Sequence, residues 1–326
     1  MAGRSQMHPE STAATALYRS LAGPFPAVPS GWFWDPRGAD LHRVRTGLVD
    51  HYPARVEREL FREHAPMLVG LFEPREVADL VPSASRHVRA LVGAMLDRTP
   101  RGRCAVMDTE PERLVASVRR LAADYPRLDV RGELGDCLGR AWPLGMGGAR
   151  MLLLSAVGPD GLDAAALLHL LRRLAARLAP DDSLVLGVDL GRDPAALLRA
   201  CEDPEGMAAA FHRNALRVIN ARFGTDLDPA SFSFEAVWDA ARRRVETRLR
   251  PTFARKLALP GAAGVLRLDP ARPWVTGRVG TWTRAALREG VAGVGLVLSA
   301  WLTDPDEGRA LVVLQRPAGV PIDPGP

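Results

Sequence analysis

At 326 residues, 47% of them hydrophobic, the chain is long and apolar enough to bury one large core or two moderate ones. No run of eighteen uncharged apolar residues occurs, which argues against a transmembrane helix and a membrane partner. The net charge of +5 is almost entirely arginine, because Lys256 is the only lysine, and the arginines are interleaved with acids. No basic stripe with stacking aromatics emerges, so nucleic acid is not expected as a partner.

Residues 1–14 read as a disordered N-terminus. They lack the compact apolar core of a secretory signal, so a cytoplasmic protein is expected. The stretch "ADLVPSASRHVRALVGAML" (78–96) reads as a short strand, a small-residue turn at Val81-Pro82-Ser83-Ala84-Ser85, and a helix. "CAVMD" (104–108) has the pattern of a buried strand, followed by a helical pattern through "PERLVASVRRLAADY". "LDVRGEL" (128–134), "MLLLSAV" (151–157) and "SLVLGVDL" (183–190) have strand character, and an amphipathic helix is predicted over 163–179. Strands alternating with helices imply an α/β fold with a mostly parallel, doubly wound sheet and a ligand site off the carboxyl ends of its strands.

After Asp193 the pattern changes. A helical stretch precedes alternating segments at 231–239 and 243–257, which read as antiparallel strands with one wet face. Residues 295–316 read as a hairpin around Asp304-Pro305-Asp306-Glu307-Gly308, and 317–326 as a flexible tail. The three cysteines, Cys104, Cys137 and Cys201, are widely spaced and form no CxxC pair. That spacing argues against a disulfide framework or a structural zinc site, and no metal is expected.

Several segments together resemble one family, the SAM-dependent histidine Nα-methyltransferases of ergothioneine biosynthesis. "GWFWDPRGADL" and "HYPARVERELFREHA" resemble its aromatic-Tyr-Asp-x-Arg-Gly and Tyr-Tyr-Pro-Thr-Arg segments. "LVLGVDLGRDPAALLRA", "AAFHRNALRVINARFGTDLDPASF" and "WLTDPDEGRALVVL" continue the likeness in order over nearly the whole chain. The resemblance implies a class I methyltransferase-like doubly wound sheet with a second, inserted α+β substrate domain. On that division, 58–192 and 281–316 form the Rossmann-type domain, and 15–57 with 193–280 form the substrate-binding domain.

The resemblance also implies S-adenosylmethionine as cofactor, and the sequence departs from the family where it would be held. The family's Glu-Leu-Gly-Ser-Gly-Ser-Ser loop falls on Leu80 to Ser85-Arg86, with Pro82 and Ala84 at its glycines and Leu80 at its acid. Proline removes an N–H donor, and a Cβ hinders close backbone approach. Ser83 and Ser85 remain as candidate cofactor contacts. Asp108 ends the second strand, where a carboxylate accepts hydrogen bonds from a ribose diol, and Asp136-Cys137 matches the family's acidic residue near the adenine. The alternative for both aspartates is a helix cap or a turn.

The substrate side departs further. The asparagine that holds the substrate's amino and carboxylate groups falls on Pro159. The Glu and Ser that recognise an imidazole fall on Gly277 and Val279, and family tyrosines and a phenylalanine fall on His51, Cys201 and His42. Tyr52, His212 and Asn214 complete the expected substrate pocket. Imidazoles in a cavity can act as acid and base, and a thiol beside one as a nucleophile, so His42, His51 and Cys201 are the candidate catalytic residues; each also has a packing interpretation.

Three readings follow. The first is a repurposed enzyme of specialised metabolism that acts on a small molecule other than histidine. The second is a SAM-dependent methyltransferase for a different amino-acid or natural-product substrate. The third is a non-catalytic relative that binds a partner. A monomer or weak homodimer is expected in each case.

Overall fold

The computed structural model describes residues 9–49, 51–80, 85–108, 110–135, 148–154, 162–202, 205–262 and 264–317. Among them the chain runs α1 (Pro9–Ala22), α2 (Pro36–Arg45), α3 (Tyr52–Phe72), β1 (Glu76–Asp79), α4 (Ser85–Arg98), β2 (Gly102–Asp108), α5 (Pro111–Asp124), β3 (Leu128–Leu134) and β4 (Arg150–Leu154). It continues with α6 (Ala164–Ala175), β5 (Ser183–Asp189), α7 (Pro194–Glu202), α8 (Met207–Phe223), β6 (Phe232–Asp239), β7 (Arg244–Pro251) and β8 (Arg255–Ala258). The last elements are β9 (Val265–Leu268), β10 (Trp274–Gly280), α9 (Arg284–Ala292), β11 (Val297–Thr303) and β12 (Arg309–Gln315).

These elements form two compact units. The sheet unit comprises 52–158, 162–193 and 281–326; the companion unit comprises 1–51, 159–161 and 194–280. In the companion unit α1 already begins at Pro9, inside the segment read as disordered, because it buries Ala14, Leu17 and Leu21 in that unit's core.

The sheet unit is built on seven strands in the order β11-β12-β5-β4-β1-β2-β3. β3, β2, β1, β4 and β5 are parallel, while β12 runs antiparallel to both β5 and β11. This is the class I methyltransferase arrangement, and its strand order reverses between β1 and β4.

Alternation along the strands sends side chains to two cores. Val77, Cys104, Val106, Met151, Leu153, Val185, Leu311 and Val313 pack with α3, α4 and α5. Ala78, Leu80, Ala105, Leu152, Leu154, Leu184 and Leu186 pack instead with α6 and α9. The helices start where the sequence supplies caps: Asp163 Oδ1 accepts from Ala166 N at 3.0 Å, and Thr283 Oγ1 accepts from Ala286 N at 3.1 Å. In the companion unit, α1 and α8 share one core with the strand order β10-β7-β6 and the hairpin β8-β9.

One buried ion pair holds the entry to β4. Asp182, fully buried, accepts from Arg150 N at 2.9 Å, from its Nε at 3.1 Å, from its Nη2 at 2.5 Å, and from Ala179 N at 2.8 Å. Breaking such a pair strands a buried cation. Asp182→Ala should therefore lower stability by about 3–5 kcal/mol in urea unfolding.

Candidate active site

In an open α/β sheet, ligands bind beyond the carboxyl ends of the strands where the order reverses. Asp108 closes β2 at that edge and is 4% exposed. Its Oδ1 accepts from Glu110 N at 2.9 Å and from Arg113 Nη2 at 2.7 Å, and its Oδ2 accepts from Arg113 Nε at 3.3 Å. Gly135 N donates to Asp108 O at 2.9 Å, which ties the end of β3 to the end of β2. A carboxylate offers about four acceptor positions. Three are occupied, so one ribose hydroxyl can be taken directly and a second only if Arg113 yields. Asp108 therefore keeps one acceptor position of the kind a ribose hydroxyl of S-adenosylmethionine needs. Ser85 opens α4; Ser83, Asp136, Cys137 and Pro159 lie outside the described residues.

One acid at this edge is not singled out by the sequence pattern. Asp79 closes β1, is 4% exposed, and stands one residue before the position at which the resemblance leads to Leu80. Leu80 packs with α6 and α9, so alternation puts Asp79 on the opposite face, with Val77. Its only signal in the sequence is a lone acid ending an apolar strand.

Tyr52 opens α3, and its hydroxyl donates to Asp189 Oδ2 at 2.5 Å. Asp189 Oδ1 accepts from Gly191 N at 2.9 Å. Arg309 Nη1 lies 3.7 Å from Asp189 Oδ2, while its Nη2 donates to buried Glu57 Oε2 at 2.6 Å. Burial raises the Asp189 carboxyl above its ordinary value, outweighing Arg309, the Tyr52 hydroxyl and the Gly191 N–H, which pull it down. The Tyr52 proton is thus committed to Asp189, and toward any further ligand its oxygen acts as an acceptor. Asp189, Glu57 and Arg309 were not singled out from sequence; the paired acids and arginine lie far apart along the chain.

In the companion unit, α2 and α8 bring His42 and His212 around one phenylalanine. The Phe211 ring lies 5.9 Å from His42 and 5.4 Å from His212, and Trp34 meets His42 edge-on at 5.0 Å. His212 is fully buried and stacks on Phe234 of β6 at 4.9 Å and 16°. Among the described residues neither ring nitrogen of His212 has a hydrogen-bond partner, and neither does the buried Nδ1 of His42. Arg45, 3% exposed, donates from Nη2 to Ala200 O at 3.3 Å, next to buried Cys201 on α7. His51 is half-buried beyond α2, and its N–H donates to Leu48 O at 3.2 Å. Asn214 serves the architecture of α2: its Nδ2 donates to Asp35 Oδ1 at 2.7 Å, and Asp35 caps α2 through Gly38 N at 2.6 Å. Gly277 and Val279 lie on β10 opposite Thr247 and Val245 of β7. Among the described residues no group of three or more His, Cys, Asp or Glu side chains could hold a metal ion.

Both imidazoles are held neutral. Burial, helped by the Arg45 guanidinium, pushes His42 from 6.5 down to about 3 and His212 well below its ordinary value. The unfolded chain therefore takes up protons that the folded chain refuses, so stability falls as pH drops below about 6.5 and, for His42, keeps falling to about 3. For His42 this loss is on the order of 2 kcal/mol between pH 7 and pH 5. His42→Phe should flatten that dependence by about this amount, read as urea unfolding free energies at the two pH values.

The model of the family described as "Histidine-specific methyltransferase, SAM-dependent" matches residues 13–316. Histidine N-alpha-methyltransferase of Mycolicibacterium smegmatis is 30% identical over 310 residues, covering 93% of this chain and 96% of that protein. Its counterpart from Mycobacterium tuberculosis is 27% identical over 288 residues, covering 88% and 90%. Among solved structures, the CcbJ methyltransferase from Streptomyces caelestis aligns with a TM-score of 0.45 at 13% identity, covering 79% of this chain and 95% of that one.

Proposed function

The chain belongs to the histidine-specific, SAM-dependent methyltransferase family, and from that premise we propose that it methylates a small-molecule acceptor other than free histidine. S-adenosylmethionine, when bound, supplies an electrophilic sulfonium methyl. The sheet unit is the cofactor-binding part in this reading, and the companion unit binds the acceptor. Asp108 takes a ribose hydroxyl, and Asp79 is a second acid at the same edge of the sheet.

The observation that carries the acceptor assignment is the character of β10 and its neighbours. Gly277 is buried and Val279 half-buried, and neither offers a polar side-chain atom. Beside them the Thr276 hydroxyl donates to the Thr247 hydroxyl at 3.2 Å. Free histidine carries an ammonium, a carboxylate and an imidazole. A site that leaves such groups without partners discriminates against the molecule by orders of magnitude. Methyl transfer asks chiefly that an acceptor lone pair be held in line with the methyl group.

Repurposed acid–base chemistry at His42 is disfavoured by one feature. A base whose conjugate acid has a pKa of about 3 is a weak proton acceptor at neutral pH.

Isothermal titration with S-adenosylmethionine and with S-adenosylhomocysteine tests the cofactor half. Micromolar binding of either is expected, reduced about tenfold or more in Asp108→Asn, a loss of about 1.4 kcal/mol. No heat with either ligand would refute the proposal. Mass spectrometry after incubation with S-adenosylmethionine and histidine should show no methylated histidine, and efficient turnover of histidine would overturn the acceptor assignment.

A further inference from the structure

Resting on the methyltransferase reading above, we infer that Arg113 sets the ribose specificity of the site. It leaves Asp108 able to hold one ribose hydroxyl, so the site takes adenosyl ligands whose second ribose hydroxyl is absent or substituted. The two oxygens of Asp108 are used unequally. Oδ1 accepts from Glu110 N at 2.9 Å and from Arg113 Nη2 at 2.7 Å, which fills both of its lone pairs. Among the described residues Oδ2 accepts only from Arg113 Nε, at 3.3 Å. The open lone pair is therefore on Oδ2.

A vicinal diol grips a carboxylate with one hydroxyl on each oxygen. That grip needs an open lone pair on both, and Oδ1 has none. A ribose can place one hydroxyl on Oδ2, and the other finds no place on this carboxylate. Displacing Arg113 would open Oδ1, but the competition is unequal. Both partners are ionised in the guanidinium–carboxylate bond and only one in a hydroxyl–carboxylate bond, and the guanidinium holds with two nitrogens at once. The pair is also sheltered: the Asp108 side chain is 6% exposed and that of Arg113 28%. Solvent screening, which weakens exposed ion pairs, is reduced there.

The chain builds this arrangement within a few residues. Asp108 ends β2, Glu110 is the extended residue that precedes α5, Pro111 opens the helix and Arg113 lies in its first turn. The Glu110 bond comes from the backbone, so a change of side chain there does not remove the donor. Arg113 is the removable occupant of Oδ1, and its side chain decides whether the carboxylate takes one hydroxyl or two. Arg113 is thus a positioning residue, acting on the ligand through Asp108.

The test is isothermal titration of the full chain with S-adenosylhomocysteine and with its 2′-deoxy and 3′-deoxy analogues, so no turnover is needed. In the wild type one analogue should bind within about threefold of the parent. The other should bind about tenfold or more weaker, the loss expected for one hydrogen bond to a carboxylate. Arg113→Met keeps an unbranched stem and removes both donors, which opens Oδ1. Both analogues should then bind about tenfold or more weaker than the parent. A merely structural role for Arg113 would shift all three affinities together and keep their ratios as in the wild type, which would overturn the inference. A wild type that loses about tenfold or more with both analogues, or with neither, would do the same. The wild-type ratios stand as a test whether or not Arg113→Met folds. No heat with S-adenosylhomocysteine itself would sink the cofactor reading and this inference with it, whereas the other adverse outcomes strike the inference alone.

Discussion

Asp189 is the point to which the rest of the sheet unit's connections are fastened. Among the places where the chain passes between its two units are 51–52, 193–194 and 280–281. Just after the first passage, the Tyr52 hydroxyl donates to the Asp189 carboxylate. Just before the second, Gly191 N donates to the same carboxylate, and just after the third, Trp282 N donates to the Asp189 backbone carbonyl at 2.7 Å. One residue at the end of β5 thus holds three stretches that are remote in sequence. Local geometry leaves little choice of residue around it: Gly191 has φ +62°, and a Cβ there would lie 2.6 Å from the Thr281 hydroxyl oxygen. Glycine alone meets both conditions without strain.

Burying that carboxylate is expensive, and the surrounding residues show how the cost is offset. Arg309 bridges toward Asp189 and Glu57, so one guanidinium faces two buried acids. Gly187 makes room for Glu57, whose carboxylate oxygens fill the space a Cβ would take. Even so, burial dominates and the Asp189 carboxyl stays above its ordinary value. An interior ion network of this kind is poor evidence for stability, since an apolar replacement is often at least as stable. Its value here is geometric: it fixes the register at which three chain passages meet.

Much of the sheet unit was legible because its signals are local and periodic. The runs at 104–108, 128–134 and 183–190 became β2, β3 and β5, residues 151–154 of the run at 151–157 lie in β4, and the turn at Asp304–Gly308 separates β11 from β12. The site was less legible for a reason of scale. Asp79 and Leu80 differ by one residue, and only the side to which each points, set by strand alternation, separates an acid at the ligand edge from a core leucine. Sequence also gives no access to desolvation. His42 and His212 read alike as groups that titrate near neutrality, and it is the shared rings of Trp34, Phe33, Phe211 and Phe234, with Arg45, that hold both neutral.

Arg113 adds a constraint that the family resemblance did not contain. It lies in the first two turns of α5 and grips Asp108 with two nitrogens, so the carboxylate is oriented before any ligand arrives. Such a pair fixes the carboxylate's aim while occupying lone pairs that a diol would use. Two carboxylates, Asp108 and Asp79, thus end adjacent parallel strands at one edge of the sheet, one neutralised by a guanidinium on its own following helix. In the companion unit the polarity takes the opposite form: imidazoles without charge, set among aromatic rings, with both nitrogens of His212 and Nδ1 of His42 lacking partners among the described residues. The two units therefore differ in chemistry, the first ending its strands in carboxylates, the second burying neutral imidazoles among aromatic rings.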